Sequence, residues 1–476
     1  MQNALRIENK AKDDAAPGTH RLAFAGLFLF TLLLYMRPNE MFPEVFGDFP
    51  LAKIVAIITL MGFFGARLLA GERLSVFPIE LCMLAIITSL GILFIPAAAS
   101  PGDSIELLTD TFLKVVAIFV LLINLIDTHQ RLQKMMKLVV ICGAVLAFFA
   151  VASYLTGKFT IVTHGEEGTV VGLRITGIVG GIFGNPNDLA TSLDLLIPFA
   201  VALALLRRGA ARMFYLACAA MLGLGVILTF SRGGFLGLVA MAAVLIWKVG
   251  RQNRALTAFA FVIITTVFLV AMPVGYSSRI TTILDSSADP TGSSEERQEL
   301  LERAASVAAN HTIIGVGIGN FPIYSLRERR AHNSYLEISA ELGVAGLIAY
   351  LIMIFAPLRS LRRIERDSIK EHGTDADLNR ANVTYYLGAA VQASLVVYII
   401  CSCFGSIQYL WFLYYPLAYA VCLRQIHKAE AVAAADRPVQ VKIVEPRAHA
   451  VLWRPDQRRK PIAATSESAE AHSPNS

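Results

Sequence analysis

Charge is scarce in this sequence. Only 16% of its 476 residues are Asp, Glu, Lys or Arg, against about 25% in an ordinary soluble domain. Hydrophobic residues make up 55% of the chain, and the mean hydropathy is +0.58. That balance excludes a soluble globular protein. The net charge of +6 is no nucleic-acid footprint, because the basic residues lie in short loops and tails rather than along one face. Cysteine is sparse where it would matter. Cys82, Cys142, Cys218, Cys401, Cys403 and Cys422 all fall in or beside apolar runs, so neither a disulfide framework nor a zinc site is expected. Cys401-Ser402-Cys403 reads as packed small residues. The period-2 alternation of a membrane β-barrel is missing too.

What the chain has instead is long apolar runs. A helix needs roughly 20 residues to cross a hydrocarbon core, and in lipid each run must satisfy its backbone internally. About twelve such helices are expected, near 21–36, 51–70, 78–97, 111–127, 136–156, 188–206, 211–230, 233–249, 255–272, 334–358, 382–403 and 406–424. The expected fold is therefore an all-α polytopic integral membrane protein. Its first run follows a basic N-terminus, as in a signal peptide. Arg37-Pro38-Asn39-Glu40 stands where a small-x-small cleavage site would lie, so the run is expected to remain as a span.

Charge bias predicts orientation. Alternate loops hold Arg67 and Arg73; Arg131, Lys134 and Lys137; Arg207, Arg208 and Arg212; Lys248, Arg251 and Arg254; and Arg359 to Lys370. The intervening loops are acidic or nearly neutral, as at Asp103, Glu106 and Asp110. Positive loops stay in the cytoplasm. Both termini are then cytoplasmic: residues 1–20 as a short N-terminus, 21–428 as the membrane domain, and 429–476 as a disordered tail rich in Pro, Ala, Arg and Ser.

Three features fall on the opposite, outward face. The first is a Gly-rich connection from Gly157 to Asp188, containing Arg174 and Asn185-Pro186-Asn187-Asp188. It is too apolar for a solvated loop, and such backbone is tolerated at membrane depth only when buried in protein or lining a cavity. Arg174, alone among apolar residues, needs a partner or an anion, and Asn187 or Asp188 is placed to cap the next helix. The second is Thr229-Phe230-Ser231-Arg232-Gly233-Gly234, where one apolar helix ends and another begins. Positive-inside bias disfavours Arg232 here, and the glycines permit close approach.

The third is a polar loop, 273–333, with six arginines: Arg279, Arg297, Arg303, Arg327, Arg329 and Arg330. A helix is predicted from Ser293 to about Asn310. On it Arg297, Leu301, Ala304 and Ala308 share the apolar face, while Glu295, Glu299, Glu302 and Arg303 take the wet one. Gly315-Val316-Gly317-Ile318-Gly319 lacks the last glycine and the βαβ setting of a dinucleotide fingerprint. His332 and Asn333 stand where the loop re-enters the membrane, with Glu337 and Glu341 just inside, where ionisable residues are candidates for function.

Arginine grips phosphate bidentately and stays charged. Arginines can stabilise a departing diphosphate without a metal, and histidine can take a hydroxyl proton near neutral pH. This set suits transfer of a glycan from a polyprenyl diphosphate to a hydroxyl.

Arg174 with Gly184-Asn185-Pro186-Asn187, Ser231-Arg232-Gly233, Arg297 ahead of Gly315-Val316-Gly317, and His332-Asn333-Ser334-Tyr335-Leu336 with Glu341-Leu342-Gly343 resemble the O-antigen ligase and polymerase superfamily. Tyr35 to Glu40 resembles a subgroup of O-glycosylation ligases found with exosortase and exopolysaccharide systems. The resemblance implies a GT-C-like fold with a large periplasmic loop carrying short helices. It implies an inverting, metal-independent glycosyltransferase of the bacterial inner membrane, without a cofactor and with a periplasmic site. Its partners would be membrane lipids, an undecaprenyl-diphosphate glycan donor, and a glycan, lipid or protein acceptor. By motif position His332 would be the base. Arg232 and a loop arginine, Arg297 or Arg279, would hold the diphosphate with Arg174, while Asn187, Asn333, Glu337 and Glu341 support them. The chain departs at Asn310-His311-Thr312, where the family often has proline. A polymerase of the same superfamily uses the same donor chemistry and differs in its acceptor. A transporter or flippase would need interrupted helices in matching repeats, and the Gly-rich break near Gly177 has no clear counterpart.

Overall fold

The structure, a computed structural model, describes residues 18–47, 49–70, 77–157, 160–164, 170–177, 181–250, 293–370 and 375–435. The described residues as far as Ala431 form one body. Its main helices are α1 Gly18–Met36, α2 Leu51–Ala70, α3 Ile79–Leu93, α4 Leu113–Leu125 and α5 His129–Thr156. After a hairpin come α6 Pro186–Leu205, α7 Gly209–Leu228, α8 Arg232–Gly250, α9 Ser293–Asn310, α10 Ser334–Lys370, α11 Asp375–Cys401 and α12 Tyr414–Ala435. Among the described residues, eight helices are long and apolar enough to cross a membrane. The expected span at 255–272 and the first part of the large loop, with Arg279, lie outside the described residues.

Boundaries shift where caps decide them. α5 starts at His129, earlier than the expected 136, because Thr128 accepts the Arg131 N–H at 3.3 Å and opens the helix there. α6 is capped by Asn185, not by Asn187 or Asp188: the Asn185 side chain accepts the Asn187 N–H at 2.9 Å, and Pro186 fills the first helical position. The runs expected at 78–97 and 111–127 form shorter helices, Ile79–Leu93 and Leu113–Leu125. The run expected at 406–424 does not begin as a helix. Residues 402–410 form a connection, and α12 starts at Tyr414 and continues to Ala435, through residues expected in the tail.

The chain is not wholly α. Strands β1 Thr160–His164 and β2 Val170–Ile175 pair antiparallel in the connection before α6. Both are rich in β-branched residues, which suit a pleated ribbon.

α6 is almost fully enclosed and packs against α5, α7, α8 and α11. α10 packs against α3, α11 and the loop helix α9. Around the bundle Ile58, Met61, Leu68, Phe148, Leu155 and Trp247 face outward, as a lipid-bathed surface requires.

Polar contacts gather at two ends. At one, Arg424 grips Glu80 bidentately at 2.9 and 2.7 Å, Lys248 pairs with Glu365, and His129 meets Thr384 at 3.0 Å. At the other, the three features expected on the outward face assemble with residues 402–410. α10 is broken at Gly343 (φ 65°, ψ −169°), a conformation open only to glycine. The Gly315 to Gly319 turn docks into that break. Val316 and Gly317 donate to the Ala340 and Glu341 carbonyls at 2.9 and 3.0 Å, and Val344 donates to Thr312 at 2.8 Å. Residues 334–342 thereby form a half-helix whose orphaned carbonyls are satisfied by the loop.

Candidate active site

His332 sits on a strained turn just before that half-helix. Its φ is 54°, a left-handed value rare for a residue with a side chain. Neighbouring groups hold it. The His332 N–H donates to Ser406 Oγ at 3.0 Å, and that hydroxyl donates to the Glu337 carboxylate. Glu337, fully buried, also accepts the Ala331 N–H at 3.0 Å and Gln408 Nε2 at 2.9 Å, with Arg330 Nε 3.7 Å away. Asn333, not His332, caps the helix, its Oδ1 accepting the Tyr335 and Leu336 N–H groups at 3.0 Å each. Ser334 hydroxyl donates to the Gly405 carbonyl at 2.7 Å and accepts the Ile407 N–H at 2.9 Å. Glu341, one turn deeper, accepts the Tyr409 hydroxyl at 2.7 Å and the Phe321 N–H at 3.4 Å.

The loop helix α9 follows the predicted phasing with one shift. Leu300, Ala304, Val307 and Ala308 are buried, so the apolar face centres on Leu300 rather than Leu301. Glu299, Glu302 and Arg303 are exposed, and Arg297 is half-buried at the edge of the packed face. There its charge reaches His332. Burial, then the positive charges of Arg297 and Arg329, with Arg330 adding to them, push the His332 imidazole down to about 4, against the opposing pull of Glu296. The ring is thus neutral at pH 7 and able to accept a proton. Arg330 is held above its ordinary value: burial opposes its charge, and Glu337, Glu341, Tyr409 and Asp188 outweigh that. Arg327 and Arg329 pair with Glu296 at 3.6 and 2.6 Å.

A cavity opens beside this turn. It is lined by Asn187, Asp188 and Thr191 of α6; Ser231, Gly233 and Gly234 at the start of α8; Arg297; and Cys401, Phe404, Gly405 and Ile407. Gly233 is needed there, since a Cβ would lie 2.9 Å from Phe404 Cβ. Arg232 follows Ser231 at this corner, half-buried at the first turn of α8. Arg174 finds protein partners: its Nε donates to the Thr229 carbonyl and its Nη2 to Asn187 Oδ1, each at 2.8 Å. It ties the hairpin to both corners of the cavity.

Asn187, Arg297, His332 and Glu337 therefore lie at one end of the bundle, with Arg232 next in the chain to the wall residue Ser231, Asn333 next to His332, Arg174 fastened to Asn187 and Glu341 one turn deeper. Sequence reasoning missed Ser406, Gln408 and Tyr409 because the apolar run around them was read as a span. The polar pair Ser406 and Gln408 after Gly405 was the available signal. It also missed the lining roles of Asp188 and Thr191.

Fold and site define a polytopic membrane protein with arginines and a neutral histidine gathered at one end. Residues 216–351 match the O-antigen ligase family, which supports membership of the O-antigen ligase superfamily. That stretch runs from α7 into α10 and includes Arg232, Arg297, His332, Glu337 and Glu341; Arg174, Asn187 and residues 402–410 lie outside it. Among curated proteins, none matches the chain.

Proposed function

We propose that this protein is a ligase that transfers a glycan from a polyprenyl diphosphate to an acceptor hydroxyl, at the periplasmic face of a bacterial inner membrane. The observation that carries this reading is His332, a neutral imidazole in the field of Arg297, Arg329 and Arg330 beside a polar cavity. His332 takes the acceptor hydroxyl proton as the oxygen attacks the anomeric carbon. The new C–O bond forms as the bond to the diphosphate breaks on the opposite face, inverting the centre. The diphosphate leaves with the bonding pair, and Arg232 and Arg297 hold its charge, the work a metal does in other transferases. The imidazolium then gives its proton to the diphosphate or to water. Arg174 acts through Asn187 and Thr229, holding the corners from which Arg232 and the cavity are built. The orientation rests on the charge alternation, because the site lies at the end opposite the Lys248–Glu365 and Arg424–Glu80 pairs.

The test is transfer by the purified protein in lipid, with lipid-linked glycan supplied with and without a separate acceptor. Product on the added acceptor alone supports a ligase. Polymer ladders formed without it would instead make the protein a polymerase, and no transfer in either arm would remove the enzymatic reading.

A further inference from the structure

The cavity beside His332 is mixed in charge, with Arg297 at one side and a carboxylate at the other. Asp188 is on its wall, and among the described residues this carboxylate makes no hydrogen bond. What the wall offers is a set of mixed donors and acceptors. Arg174 occupies Asn187 Oδ1 and so fixes the amide, leaving its Nδ2 as a donor. Ser231 Oγ accepts the Gly234 N–H at 3.2 Å and keeps its own proton to give. Thr191 gives its proton to the Asn187 carbonyl at 3.0 Å and keeps its lone pairs. Donors and acceptors interleaved over a few ångströms match groups that are both at once, which hydroxyls are.

A second observation lies beneath the cavity floor. Asp194, one turn below Thr191 on α6, is fully buried, and among the described residues neither carboxylate oxygen has a hydrogen-bond partner. A Cβ at Gly237 would stand 2.9 Å from Cys401 Sγ and 3.0 Å from Asp194 Oδ2. The carboxylate therefore faces the same α6–α8–α11 junction that Cys401 presents to the cavity. A buried polar group without a partner is costly unless something arrives to satisfy it. Gly237 keeps the room open.

Resting on the proposed transfer reaction, we propose that this cavity is the sugar subsite of the enzyme. It takes a neutral hydroxyl of a hexose ring among Asp188, Thr191 and Ser231, with Asp194 drawing that hydroxyl or a water inward, while the diphosphate stays with Arg232 and Arg297. The ring is that of the donor or of the acceptor; the chemistry is shared and the experiment separates them.

Three probes are bound to the full-length protein in nanodiscs: polyprenyl diphosphate without sugar, the lipid-linked glycan from native membranes, and that glycan freed by mild acid. Each is titrated against wild type, Asp188→Asn and Thr191→Val, the last leaving the helix end unaltered, with thermal melting as the folding control; Asp194→Asn replaces any variant that does not fold. The expected result is a loss of about tenfold or more for sugar-bearing probes with unchanged binding of the sugarless diphosphate. A loss confined to the lipid-linked glycan assigns the donor sugar, and a loss confined to the freed glycan assigns the acceptor. Equal weakening of the sugarless diphosphate, or no change with any probe, overturns the subsite. Failure of wild type to bind either polyprenyl diphosphate overturns the transfer reading itself, and the subsite with it.

Discussion

The His332 N–H donates to the Ser406 hydroxyl at 3.0 Å, and that hydroxyl in turn donates a hydrogen bond to the buried carboxylate of Glu337. Two segments 74 residues apart thus set the direction of one imidazole. A residue at positive φ persists only when its surroundings over-determine it, at roughly 1–3 kcal/mol. Ser406→Ala removes both bonds. Stability should fall by about 1–3 kcal/mol, and kcat by about tenfold or more as the imidazole loses its aim, with KM for the donor nearly unchanged. Melting temperature and steady-state kinetics check this.

The pH dependence follows from the depressed His332. With the imidazole down to about 4, the acid limb of kcat/KM, which reports the free enzyme, should fall near pH 4 rather than near 6.5. Arg297→Gln removes one repelling charge, so that limb should move up. A bound diphosphate offsets the arginines, so the acid limb of kcat should lie above that of kcat/KM. For stability the sign is the same. Between about 6.5 and 4 the unfolded chain binds a proton at His332 and the folded chain does not, so this group's effect is to lower stability as pH falls through that window. His332→Gln should flatten that part of a melting-versus-pH curve.

Arg297→Lys keeps the charge and loses the fork. If Arg297 grips two diphosphate oxygens, binding of polyprenyl diphosphate should weaken about tenfold or more, while Arg303→Lys, on the exposed face and bonded to the Tyr324 carbonyl at 2.7 Å, should leave it unchanged. Titration in nanodiscs separates the two.

Gly343→Ala tests the break in α10. The backbone there is at φ 65° and ψ −169°, and a Cβ would stand 2.5 Å from the Ile313 carbonyl oxygen. The conformation alone should cost about 1–3 kcal/mol, and the clash adds to it. The variant should melt lower and lose activity together, because the half-helix carrying Glu337 and Glu341 is displaced from the His332 turn.

Part of this arrangement was legible from residues. Charge alternation predicts one side of the membrane for Arg174, Arg232 and His332. Phasing of the loop helix marked Arg297 off from Arg303, since an amphipathic helix is a local pattern. What could not be read was the partner of each group. Arg174 spends its donors on Thr229 and Asn187, and nothing in its own neighbourhood specifies a carbonyl 55 residues away. Gly315 to Gly319 signalled close backbone approach, but only tertiary packing reveals the break at Gly343 that receives it. The 402–410 connection was hidden because apolar loop residues buried in protein carry the hydropathy of a span. The hairpin was obscured by the glycines that follow it.

The central claim is that His332 is the base of a glycan transfer. Its most direct measurement is the single-turnover rate of transfer from lipid-linked glycan by wild type and His332→Ala, in lipid, at saturating donor and acceptor. The predicted result is a fall of about 10²–10⁴-fold in a variant that still melts cooperatively and still binds the sugarless polyprenyl diphosphate. Transfer by the folded His332→Ala variant at a rate within about twofold of wild type, well short of that loss, would contradict the account.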